Sequence, residues 1–114
     1  MKWSVRFFNA SVMEETLGFP TGIRANFLHI MEMVGEMGPN LGKPYTEGLG
    51  DGLFEIRARG KEGIGRSFFC YAQRENRTIV ILHSFIKKSQ KTPKKELLTA
   101  RQRKKEYDDA HAKP

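Results

Sequence analysis

The sequence predicts a small single α+β domain with elements in the order β-α-α-β-β-β-α, an antiparallel meander sheet and an N-terminal helical hairpin packed on one face. Three patterns carry that prediction. The chain starts with period-two alternation, continues with a long apolar stripe at helical spacing, and then holds three strand-like runs joined by short turns. With 114 residues, 39% hydrophobic and 29% charged, it suits one core and is too short for a separate cofactor domain. The same balance excludes a compositionally disordered chain and a membrane-like one. The domain is expected over residues 1–107, with 108–114 as a frayed tail.

Trp3, Val5 and Phe7 alternate with Lys2, Ser4 and Arg6, the pattern of a strand over residues 2–8 with one buried face. Asn9 or Ser11 suits the cap of a short helix over residues 12–17, which Gly18 ends. Pro20 fits the first turn of a second helix, where a missing N–H costs nothing. Ile23, Phe27, Ile30, Met31, Val34 and Met37 form its apolar stripe, and Gly38-Pro39 stops it. Residues 38–52 hold five glycines and two prolines and are expected as a long loop.

Residues 53–59 alternate, with Phe54, Ile56 and Ala58 opposing Glu55, Arg57 and Arg59. Residues 60–65 are expected to turn into a strand over 66–73, and residues 74–77 into a strand over 78–86. That last run is the most apolar, as a central strand requires. Thr92 before Pro93 reads as cap and first turn of a final helix reaching about Tyr107. All helices are expected on one face of the sheet.

The formal net charge is +7, from 20 Lys+Arg against 13 Asp+Glu. Residues 1–85 contribute only +1 and residues 86–114 contribute +6. Such a balance points to a polyanionic partner, whether RNA, DNA or an acidic protein. Cys70 is the single cysteine, so no intramolecular disulfide or cysteine-rich zinc cluster can form. His29, His83 and His111 lack metal-ligand spacing, and no run has the length of a secretory core or a membrane span. A soluble intracellular protein without cofactor or metal is the expectation.

Arg57 and Arg59 share one strand face, Arg66 opens the next strand, and Lys87 and Lys88 end the last. Short hairpins bring such positions together, because neighbouring strands lie about 4.8 Å apart. Two readings stand. Exposed strand faces carry charge for solubility, or these cations form a phosphodiester site. In the second reading a lysine crowded by cations loses its proton more readily and can serve as a base. His83 is the other acid or base candidate, at the parity of Ile79, Ile81 and Phe85, or else a packed histidine satisfied by a neighbour. Tyr71 reads as a core-edge aromatic or a base-stacking surface, and Cys70 as a small core residue. The run from Lys87 to Lys105 holds nine Lys/Arg and one acid, Glu96, suited to a solvated face or to RNA attraction.

Several runs together resemble a known family. They are Gly52-Leu53-Phe54-Glu55-Ile56-Arg57, then Gly65-Arg66, then residues 81–93 (ILHSFIKKSQKTP), followed by a basic helix. This set resembles the phage-derived Gp49-like (HigB-type) branch of the RelE/ParE toxin superfamily, over roughly residues 2–107. The resemblance implies the toxin of a type II toxin–antitoxin pair, a metal-independent endoribonuclease that cuts mRNA in the ribosome in the cytoplasm. It implies a helix-turn-helix antitoxin as partner. It implies catalytic roles for Arg57, Arg66, Lys87 and Lys88, and RNA or ribosome contacts for Arg59, Lys91, Lys94, Lys95 and Arg101. Two departures stand out. Glu55 sits where RelE-type sequences often have lysine, though Glu is normal in the Gp49-like branch, and Glu47 stands where that branch commonly has a basic residue. ParE-type members share the fold but poison gyrase, and a non-catalytic nucleic-acid-binding module is a further alternative.

Overall fold

A computed structural model describes residues 2–72, 77–87 and 93–111. Its elements are β1 (Ser4–Phe7), α1 (Ala10–Leu17), α2 (Thr21–Met37), β2 (Thr46–Gly50), β3 (Leu53–Gly60), β4 (Gly63–Ala72), β5 (Thr78–Lys87) and α3 (Lys94–Ala110). The sheet runs β1-β5-β4-β3-β2. The expected meander holds for β3 to β5, β2 extends it antiparallel at the far edge, and β1 lies parallel to β5. The helical hairpin makes that parallel pairing possible, because it carries the chain across the face of the sheet.

One strand exceeds the expected order. β2 lies within the segment expected as a loop, and it forms an edge hairpin with β3. Asp51 and Gly52 both have positive φ, 53° and 76°, as a primed two-residue turn needs. The Asp-Gly pair was the available signal, hidden by a glycine count that reads as loop.

Asn9 caps α1 through its side-chain oxygen, which accepts from the Val12 N–H at 2.8 Å. α2 carries no side-chain cap of its own at Pro20. Its first turn is held from a distance: Glu62, in the β3–β4 turn, accepts from the Gly22 N–H at 2.9 Å. That bond keeps the Glu62 carboxyl below the usual carboxylate range. The β3–β4 turn is also tighter than expected, since Gly60 pairs with Gly63 and only Lys61 and Glu62 lie between. Gly60 and Gly65 serve close packing instead of turning. A Cβ on Gly60 would lie 2.5 Å from the Ile23 backbone nitrogen, and one on Gly65 2.6 Å from Ile23 Cγ2.

The helices occupy both faces, contrary to the expectation of one. α1 and α2 bury Val12, Ile23, Phe27, Ile30 and Val34 against Ile56, Phe69, Ile79 and Ile81. α3 packs Ala100 and Leu97 on the opposite face, over Leu53, Phe68, Cys70, Val80 and Leu82. The most apolar strand demanded this, because β5 buries consecutive residues 78–82 and so needs cover on both sides. α3 also runs to Ala110, past Tyr107. Among the described residues no helix is long and apolar enough to cross a membrane.

A buried hydroxyl chain ties α1 to the sheet. Thr16 donates to the Val12 carbonyl at 2.7 Å, so its oxygen accepts from Ser84 at 2.6 Å. Ser84 then accepts from Ser67 at 2.8 Å. Each hydroxyl has one proton, which fixes the direction of the whole chain.

Candidate active site

Strand alternation sends Glu55, Arg57 and Arg59 of β3 to the face that α3 covers only in part. Three rows cross the sheet there: Arg59–Ile64–Lys87, Arg57–Arg66–Phe85 and Glu55–Phe68–His83. Three of the four residues expected to be catalytic therefore meet on one face. The fourth, Lys88, and the expected RNA contact Lys91 lie outside the described residues.

Two arginines directly opposite on paired strands repel each other. Glu55 relieves this by bridging them. Its Oε1 accepts from Arg57 Nε at 3.0 Å and its Oε2 from Arg66 Nη1 at 2.9 Å. Arg57 Nη2 donates in turn to Glu47 Oε2 at 2.8 Å, and Lys43 Nζ stands 3.5 Å from the other Glu47 oxygen. Burial separates the two guanidinium groups. Arg66 is 5% exposed and Arg57 32% exposed, so Arg57 presents the more accessible charge. Lys87 completes the set. Its ammonium sits below the usual lysine range, first through desolvation and then through the charges of Arg66 and Arg57.

His83 lies on this side too, which overturns its expected parity with Ile79 and Ile81. A bulge places Phe68 opposite His83 but Phe69 opposite Ile81, so Leu82 is the extra residue and alternation flips there. His83 is a packed histidine. Its Nε2 meets Glu96 Oε2 at 2.5 Å, and Arg103 Nη1 lies 3.4 Å from its Nδ1 while donating to the Leu82 carbonyl at 2.8 Å. With an acceptor on Nε2 and a donor at Nδ1, the proton belongs on Nε2 in the neutral ring.

Several other positions take definite roles. Arg101 donates to the Leu49 carbonyl at 3.2 Å and so ties α3 to the β2–β3 hairpin. Lys94 and Lys95 stand exposed in the first turn of α3. Tyr71 points to the opposite face, against Trp3 and Phe54, and cannot stack bases beside the arginines. Phe85, half-buried and in line with Arg66, is the accessible aromatic of the cationic face, packed on the buried Phe68. Cys70 is buried, with its thiol pushed up to about 11 by burial first and Asp108 second, as a core residue without nucleophilic character. The sequence singles out Glu47 and Glu96 but not their pairings with Arg57 and His83, and it does not single out Arg103, because these partners lie 10, 13 and 20 residues apart in the chain. Among the described residues no group of His, Cys, Asp or Glu could hold a metal ion.

The sequence profile of the phage-derived protein Gp49-like family (DUF891) matches residues 14–105. No curated protein matches the chain. Among solved structures, it is similar to a chain of the archaeal RelE–RelB complex from Pyrococcus horikoshii OT3. That likeness has a TM-score of 0.53 and 23% identity, and covers 75% of this chain and 96% of that one. The solved structure supports the fold, and the profile spans both the second helix and the arginine-bearing strands. On that span the chain belongs to the phage-derived Gp49-like family.

Proposed function

We propose that the protein is the toxin of a type II toxin–antitoxin pair and cuts mRNA on the ribosome in the cytoplasm. The observation that carries this reading is the meeting of Arg57, Arg66 and Lys87 on one sheet face, with a carboxylate holding the two guanidinium groups in place. Cleavage of RNA at its own 2′-hydroxyl needs a base at that oxygen and fixed positive charge at the phosphorane. Lys87, with its lowered proton affinity, takes the 2′ proton as the neutral amine; the 2′ oxygen bonds to phosphorus as the P–O5′ bond breaks, and the departing 5′ oxygen takes a proton from water. Arg57 donates to the non-bridging oxygens, and Arg66 adds its field from behind while fixing Glu55. Lys88 follows as the next cation in the chain. Phe85 offers a ring to the flanking base, and Arg59, Lys91, Lys94 and Lys95 add long-range attraction to ribosomal RNA.

A protein partner fits the same reading. The similar solved structure is a RelE–RelB complex, which supports an antitoxin partner, and the antitoxin proposed here is of helix-turn-helix type. Expression in growing cells with mapping of transcript 5′ ends tests the proposal. New ends within translated codons are expected. Arrested growth with intact mRNA would overturn it, and a DNA-damage response in its place would favour gyrase as target.

A further inference from the structure

Arg57 stands between two carboxylates of different character. Glu55 is 1% exposed and uses one oxygen on Arg57 and the other on Arg66. Glu47 is 30% exposed and comes from the edge strand β2, beside the irregularity between Gly48 and Gly50. Its Oε2 takes Arg57 Nη2 at 2.8 Å, and its other oxygen lies 3.5 Å from Lys43 Nζ, itself 74% exposed.

These differences predict different responses to an incoming anion. Removing Glu55 would take a buried carboxylate from a buried guanidinium, which is unfavourable. Releasing Glu47 returns a carboxylate to water at little cost, because half-exposed ion pairs are weak. The outward Nη of an arginine is also the edge that a phosphate oxygen takes.

We propose that Glu47 is a built-in counter-ion that holds the phosphate position on Arg57 and is displaced by the RNA phosphodiester, with Lys43 retaining the released carboxylate. This rests on the reading of the Arg57 face as the phosphate site. A lone weak anion has only Arg57 to gain and leaves Glu47 in place. A phosphodiester strand that also engages Lys87 and Arg59 displaces it. Glu47 thus sets the threshold of affinity for RNA, while Glu55 sets the geometry.

The test is binding of a single-stranded RNA oligonucleotide made uncleavable by 2′-deoxy substitution, read by fluorescence anisotropy on the full chain. Glu47→Gln is expected to bind about two- to fivefold tighter than wild type, the range that half-exposed ion pairs span. Glu47→Ala, which leaves no amide to re-form the bond, should do the same. Glu14→Gln removes an equal charge from α1, across the sheet, and should shift binding less than twofold. Thermal melting of each variant reports folding. A matching fall in KM on programmed ribosomes is expected. If mRNA is cut and Glu47→Gln binds no tighter than Glu14→Gln, the counter-ion role falls alone. If neither form cuts mRNA while Glu47→Gln still binds tighter, the endonuclease reading falls and the counter-ion role stands.

Discussion

At the scale of the residue, chemistry turns on how each charge is partnered. Lys87 is held below the ordinary lysine range, and a base must be neutral to act. On the proposed reading of Lys87 as base, cleavage should rise with pH and level off below the range of a free lysine. Lys87→Arg keeps the charge but cannot deprotonate, so it should lose the alkaline rise and about 10²–10⁴-fold in rate. Single-turnover rates against pH check this, and a preserved rise in the variant would remove Lys87 from the base role. Glu55 makes a second prediction. Glu55→Gln leaves Arg66 buried without its carboxylate and should destabilise the fold by about 3–5 kcal/mol, measured by urea unfolding. A loss under 1 kcal/mol would show that Glu55 is not what compensates the buried Arg66 charge. Arg57 and Arg66 were legible from strand parity and motif, whereas the Glu55 bridge needed register, because only pairing places residue 57 opposite residue 66.

Among the elements, the contact between α2 and the β3–β4 hairpin is the most demanding. Gly60→Ala would drive a Cβ to 2.5 Å from the Ile23 backbone nitrogen, and backbone cannot rotate aside as a side chain can. Unfolding free energy should fall by about 2–4 kcal/mol or more, the range of overpacked cores and backbone clashes. Glu62 adds a pH signature to the same contact. Its folded-state affinity for protons is lowered by the Gly22 N–H. The stabilisation is then full above the ordinary carboxylate range and lost as pH falls through the lower folded value. Melting temperatures of wild type and Glu62→Gln should differ near neutrality and converge in acid; a gap that persists in acid would assign it to packing. These glycines looked like turn formers in sequence. Two of them are strand residues shaved to admit a helix, a distinction that the chain alone does not display.

For the whole molecule, the placement of charge matters more than its sum. Much of the basic last quarter is engaged: Arg101 with Leu49, Arg103 with Leu82 and over Phe8, Lys104 with Asp108, Lys105 with Asp109. α3 thus spends part of its charge on docking to the sheet. If Arg57, Arg59 and Lys87 each meet one phosphate, the log–log salt dependence of single-stranded RNA binding should have a slope of about −2. A slope near −6 would instead assign the binding to the basic residues from Lys88 onward. Titration by anisotropy between low and moderate salt decides between them.

Local pattern was enough for the element sequence β3-β4-β5-α3, the apolar stripe of α2, a cap at Asn9 or Ser11 and the cationic parity of β3, because each depends on residues within a few positions of one another; the structure selects Asn9. Tertiary structure decided the rest. The Leu82 bulge turned His83 towards Glu96, the edge strand β2 brought Glu47 to Arg57, and the two-sided burial of β5 sent α3 to the face opposite α1 and α2. Each of these joins atoms far apart in the chain, and what selects them is the need to cover apolar strands and to partner buried charge. Local periodicity can express neither requirement.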